Sequence, residues 1–208
     1  MMATHGDTPS GKDYLFLRMP RTASSWTQGV LVKHCNGRVI LVGHDALAPD
    51  LSVIGNPLVP EVKYWRDRYV FSFIREPISW YRSWWSRRIK YWPLTQLWDS
   101  DFNTFIANVL KRTAPNSLLK LYHQYGQHAD FVGRYTHLHD DLKSVLDVLG
   151  FDVAKAQLEE CPASNTSPTK PVYDEALRVA LVEKEKDSIL FYNTLCQKRG
   201  CEGCAPTS

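Results

Sequence analysis

Apolar and aromatic residues fall along the chain in short continuous runs that alternate with stretches of helical spacing. Residues 14–17 (Tyr14-Leu15-Phe16-Leu17), 38–43, 69–74 (Tyr69-Val70-Phe71-Ser72-Phe73-Ile74) and 131–135 read as buried strands. Helical patterns cover residues 25–34, 78–85 with Pro77 in the first turn, and 101–112 behind a capping Asp101, with Phe102, Phe105, Ile106 and Val109 on one face. Further helices are expected at 116–125, at 140–149 closed by Gly150, and as one long element at 173–195. The proline-rich stretch 48–60 reads as a loop and 161–171 as an irregular crossing segment, and there is no internal repeat. Strands alternating with helices predict one α/β domain over residues 13–195, a three-layer fold with a central, mainly parallel sheet flanked by helices. Residues 1–12 read as a flexible polar N-terminus and 196–208 as a cysteine-containing tail.

Two strand-to-helix junctions carry candidate chemistry. The first is Pro20-Arg21-Thr22-Ala23-Ser24-Ser25-Trp26. Such a turn leaves backbone N–H groups unpaired with the positive end of a helix dipole behind them, which suits an anion. Thr22, Ser24 and Ser25 can add hydroxyl donors and Arg21 a fixed charge, although Ser and Thr also serve as plain helix caps. The second is Arg75-Glu76-Pro77, with Ser83 eight positions after Arg75. Eight residues span about two helical turns, so one ligand can touch both Arg75 and Ser83 if the chain ahead of the helix bends back. A solvated Arg and a surface Ser are the alternative.

Composition narrows the classes. The 208 residues are 44% hydrophobic and 12% aromatic, enough for one substantial core, and seven Trp and ten Tyr suggest flat surfaces lining a site. A formal net charge of +3 is too small to imply nucleic acid. The cluster Arg82, Arg87, Arg88 and Lys90 falls beside the second junction. No long apolar run and no charged-then-apolar leader is seen, so the expectation is a cytoplasmic enzyme without a membrane span. Five cysteines do not make a framework, and Cys196, Cys201 and Cys204 lack a fourth zinc ligand. Gly6-Asp7-Thr8-Pro9-Ser10-Gly11-Lys12 satisfies the first seven positions of a Walker A pattern and then fails at Asp13.

The first junction resembles the 5′-phosphosulfate loop of the sulfotransferases that use 3′-phosphoadenosine 5′-phosphosulfate (PAPS), whose common form is Pro-Lys/Arg-Ser/Thr-Gly-Ser/Thr-Thr-Trp/Leu. Arg75 and Ser83 are similar to that family's 3′-phosphate pair, and Phe131 to Leu142 resembles its later strand, whose Tyr, here Tyr135, often lies by the adenine. The resemblance spans about residues 14 to 150. It implies a P-loop-like fold, PAPS as sulfuryl donor with 3′-phosphoadenosine 5′-phosphate (PAP) as product, no metal, and cofactor contacts from Arg21, Thr22, Ala23, Ser24, Ser25, Trp26, Arg75, Ser83 and Tyr135. Ala23 stands where the family usually has Gly, so a left-handed backbone is costlier there, as in some carbohydrate 2-O-sulfotransferases. Thr136 stands for the usual Glu. Lys198-Arg199-Gly200 echoes the family's Arg-Lys-Gly element but follows the last helix instead of preceding it. Asn165, Ser167 and Lys170 occupy the corresponding stretch without a matching motif.

Sulfuryl transfer needs in-line geometry, neutralised charge on the leaving phosphate and removal of the acceptor proton. Arg21 suits the second need. His44, just after the strand at 38–43, is the expected base, with Asp45 and Glu61 as competitors. Trp84, Arg87, Arg88 and Lys90 are candidate contacts to a small-molecule or glycan acceptor, while helical spacing puts Trp80, Trp84 and Trp85 on one face, where core is the better role for two of them. The expected function is therefore a PAPS-dependent sulfotransferase acting on a hydroxyl or amine. Its rivals are a noncatalytic anionic-glycan-binding module and a nucleotide or small-molecule kinase.

Overall fold

A computed structural model describes residues 2–41, 67–86, 97, 99–126, 129–152, 158 and 171–197. The strands are β1 (Met2–Gly6), β2 (Tyr14–Leu17), β3 (Arg38–Leu41), β4 (Tyr69–Ile74) and β5 (Phe131–Arg134), and the helices are α1 (Ser24–His34), α2 (Pro77–Ser86), α3 (Phe102–Arg112), α4 (Ser117–Gly126), α5 (Leu138–Val148), α6 (Glu175–Lys184) and α7 (Lys186–Gln197). They form a five-stranded sheet in the order β3-β1-β2-β4-β5. β2 pairs parallel with β4 and β4 with β5, whereas β1 runs antiparallel to both β2 and β3. β3 therefore points the same way as β2, β4 and β5, and their carboxyl ends share one edge.

Alternation along the strands divides the core into two layers, as the pleat requires. Tyr14, Phe16, Phe71 and Phe73 join Trp26, Val30 and Leu31 of α1 and Leu142, Val145 and Leu146 of α5 on one face. Leu15, Leu17, Val70 and Ile74 join residues of α2, α3, α4, α6 and α7 on the other. Helices thus cover both faces. Gly133 is paired with Phe73 and has to be small: a Cβ there would stand 2.4 Å from the Phe73 ring.

Two expectations need correction. Residues 1–12 are not loose throughout, because β1 lies inside the sheet with Thr4 fully buried. The segment with the Walker-like spacing is the connection between two antiparallel strands. Its turn is closed by Gly11 N–H to Thr8 O at 3.0 Å and by Thr8 Oγ1 to Lys12 O at 2.6 Å, and no helix follows it. The element expected at 173–195 is two helices that break at Glu185 (φ −106°). Glu185 is fully buried and accepts from Tyr81 Oη at 2.8 Å, Ser188 Oγ at 2.6 Å and Leu118 N at 3.2 Å. Beside it, Asn116 N donates to Lys184 O at 2.9 Å, and Lys184 Nζ donates to Leu110 O and Thr113 O. The break is therefore imposed by the α3–α4 connection and by α2, without any Gly or Pro in the helix itself.

Burial raises the pKa of Glu185, outweighing the donors that lower it. A carboxyl whose folded pKa is raised contributes most stability below its unfolded value of about 4.5 and loses that contribution as pH rises through the folded value. Glu185→Gln does not titrate, so its stability relative to the wild type should improve between pH 4.5 and pH 7. Urea midpoints at the two values check this, and a pH-independent difference would contradict the upward shift.

Candidate functional site

Neighbouring parallel strands lie about 4.8 Å apart, so the segments leaving the carboxyl ends of β2 and β4 emerge side by side. After β2 the chain runs through residues 18–23 into α1. Thr22 is fully buried there, and its Oγ1 donates to Met19 O at 2.9 Å, closing a tight turn. Arg21 (φ 68°) and Ala23 (φ 56°) both take the left-handed conformation. Alternation of this kind curls successive N–H groups around a concave spot that suits an anion. The lack of Gly at position 23 therefore does not prevent the left-handed backbone, which costs about 1–2 kcal/mol at each L-residue.

Contacts from the second junction offset that cost. Arg75 Nη1 donates to Arg21 O at 3.3 Å and Trp80 Nε1 to Pro20 O at 2.9 Å. Arg21 Nε and Nη2 both donate to Ser83 Oγ, at 3.2 and 2.8 Å. At roughly 1 kcal/mol net for each such bond, the total is comparable to the backbone cost, so the partner junction holds the loop in shape. Tyr122 Oη in turn donates to Arg75 O.

The two helix N-termini on this edge differ electrostatically. Glu76 accepts from Ile78 N at 2.9 Å and Ser79 N at 2.6 Å, so α2 carries its own anion. α1 has Ala23 at its N-cap position, which supplies no side-chain cap, and no acidic residue in its first turn. Arg18 Nη2 reaches Ser25 Oγ, in the first turn of that helix, at 3.4 Å. Burial lowers the pKa of both Arg18 and Arg75. Guanidinium groups remain charged despite such shifts, so this edge holds cations that are partly stripped of water.

The expected site residues fare unevenly. Arg21, Ala23, Ser24, Ser25, Arg75 and Ser83 come together at one edge. Arg75 bonds to Ser79 Oγ (3.1 Å) instead of Ser83, and its guanidinium lies 4.1 Å from the Tyr135 ring centre. The Thr22 hydroxyl is turned into the loop, which leaves only its backbone to face a ligand. Trp26 is 7% exposed and stacks on His139 at 4.8 Å. Trp84, expected to touch an acceptor, is 4% exposed and packs on Trp80 at 4.6 Å, so it belongs to the core. His44, Asp45, Glu61, Arg87, Arg88, Lys90, Asn165, Ser167, Lys170 and residues 198–208 lie outside the described residues. β3, which leads to His44, ends on the same edge, with β1 between it and β2.

Sequence reasoning missed Arg18, Trp80 as a tether for the loop, and Glu76 as a cap. Arg18 had a usable signal, since it is the first residue after β2. At the opposite end of the sheet, His5, Asp7 and Asp13 bring possible metal-ligand atoms within 4.8 Å of one another, but Asp13 already lies 3.9 Å from Arg68 Nε. No protein-family model, no curated protein and no solved structure matches the chain.

Ala23→Gly removes the left-handed penalty while adding glycine's chain entropy to the unfolded state. The variant should be about 1 kcal/mol more stable in urea denaturation, and a loss of stability would show that the Ala23 methyl outweighs the backbone cost.

Proposed function

We propose that the chain is a PAPS-dependent sulfotransferase with a P-loop-like fold, transferring a sulfuryl group to a hydroxyl or amine. The observation that carries this reading is the meeting of the two junctions, Arg75 Nη1 on Arg21 O and Arg21 on Ser83 Oγ. One ligand bearing two separated anionic groups can then span them. The uncapped start of α1 and its left-handed loop support a place for the 5′-phosphosulfate, and Arg75 with Ser83 supports a place for the 3′-phosphate. The Ser83 hydroxyl accepts from Arg21 and still has its O–H to donate to that phosphate.

PAPS supplies an activated sulfuryl group. In this reading the acceptor oxygen bonds to sulfur as the sulfur–oxygen bond to the 5′-phosphate breaks, and that phosphate leaves with the electron pair. His44 takes the acceptor proton, while Arg21 and the loop N–H groups meet the charge that grows on the leaving oxygens. No step requires a metal, which separates this reading from a kinase. The partner is a small-molecule or glycan acceptor.

Calorimetric titration without magnesium should give micromolar binding of PAP and little binding of ADP. Absence of PAP binding by a folded sample would overturn the reading and leave the noncatalytic glycan module. Arg75→Ala should mainly weaken PAP binding. His44→Ala should lower kcat about 100-fold or more, within the range for a lost general base, with PAP affinity nearly unchanged. Equal effects of the two variants on affinity and kcat would remove the roles assigned to them.

A further inference from the structure

His5 Nδ1 is buried and has no hydrogen-bond partner among the described residues. A buried polar atom without a partner is costly, and an ion or a water held beside it is a common reason for one. The ladder between β1 and β2 pairs His5 with Leu15 and Gly6 with Tyr14, so Asp7 and Asp13 are the first residues beyond it, one at each end of the connection. Their carboxylates and the His5 ring come together there, with one possible ligand atom from each within 4.8 Å of the other two. Two carboxylates at that separation repel each other. Arg68 offsets the repulsion only in part. Its Nε is 3.9 Å from Asp13 Oδ2, beyond hydrogen-bond length, and the Asp13 side chain stays 41% exposed, with oxygen lone pairs left over. An imidazole nitrogen without a partner and two carboxylates of like charge thus share one spot, and a cation would satisfy all three.

We propose that His5, Asp7 and Asp13 form a site for a divalent cation of the zinc class, which ties together the two ends of the β1–β2 connection. One imidazole nitrogen and two carboxylate oxygens are ligands that zinc accepts, and three protein ligands leave a fourth position to water. The charge of the ion matches that of the two carboxylates. Zinc holds such atoms at about 2.0–2.2 Å, so any two of them stand at most about 4.4 Å apart. A group already within 4.8 Å closes onto the ion by small side-chain rotations, for which exposed Asp7 and half-exposed Asp13 leave room. Arg68 then stays beside Asp13 as an outer partner of the ligand. The connection is the segment with the Walker-like spacing, and it lies at the opposite end of the sheet from Arg21 and Arg75. The inference therefore does not rest on the sulfotransferase reading, and the ion takes no part in the transfer.

The test is calorimetric titration of the untagged, chelator-treated full chain with zinc chloride, beside His5→Ala and Asp7→Asn, with melting curves recorded with and without zinc. The wild type should bind one zinc more than His5→Ala, and zinc should raise its melting temperature by more than it raises that of the variant. Asp7→Asn keeps the shape of the side chain and loses its charge, so it should hold the same zinc at least about 10-fold more weakly, a loss that even an outer partner of a metal ligand can cause. Zinc taken up by Cys196, Cys201 and Cys204 would be common to all three proteins and cancels from the comparison. No zinc binding by the wild type, or equal binding by the wild type and folded His5→Ala, overturns the site and leaves His5 Nδ1 to a water molecule. Should His5→Ala fail to fold, as judged by its melting curve, Asp7→Asn decides alone: undiminished zinc affinity overturns the site. Either result leaves the nucleotide reading where it stood.

Discussion

The arginine-rich edge depends on β2 lying beside β4 and parallel to it, in the register Leu15↔Val70 and Phe16↔Phe71. That pairing brings two distant strand-to-helix junctions into hydrogen-bond reach. Four side chains of the β2–β4 pair fill one core and four the other, so a one-residue slip would turn a strand's aromatic side chains toward the helices that now receive its aliphatic ones, and the reverse. Core packing therefore fixes the position of β2 against β4, and the position of Arg21 relative to Arg75 follows from it.

The junctions are unequal partners. α2 satisfies its own first turn through Glu76 and presents rigid tethers, Trp80 and Ser83, to its neighbour. The loop ahead of α1 has two left-handed L-residues and a positive helix end without a side-chain cap. Strain and unpaired polarity are thus concentrated in one segment, and stability is supplied by the segment beside it. Such a division is common where a backbone must be pre-shaped for a ligand.

The strands that could be read from the sequence were those with continuous apolar runs. β1 escaped because Thr4 and His5 are polar, and its burial comes from ladders to β2 and β3 that no local pattern announces. The α6–α7 break escaped for a related reason. Its cause is a carboxylate shared by Tyr81, Leu118 and Ser188, remote positions that only the fold assembles. At the edge itself the residue types were legible and the pairings were not. Spacing suggested Arg75 with Ser83, but rotation about the helix start gives Arg75 to Ser79 and leaves Ser83 to Arg21. Helical periodicity likewise allowed Trp84 either role, and packing against Trp80 placed it inside.

The reversed direction of β1 has a practical side. Its first residues lie at the carboxyl ends of its neighbours, Ala3 beside Leu17 and Met2 beside Leu41. Anything joined ahead of Met2, an affinity handle included, leaves the sheet at the same rim as Arg18 and Arg21. A basic or histidine-rich extension placed there would add its own charges to that rim, and titrations of anions would read the extension along with the protein. Cleaving such an extension before any binding measurement keeps the reading to the chain itself.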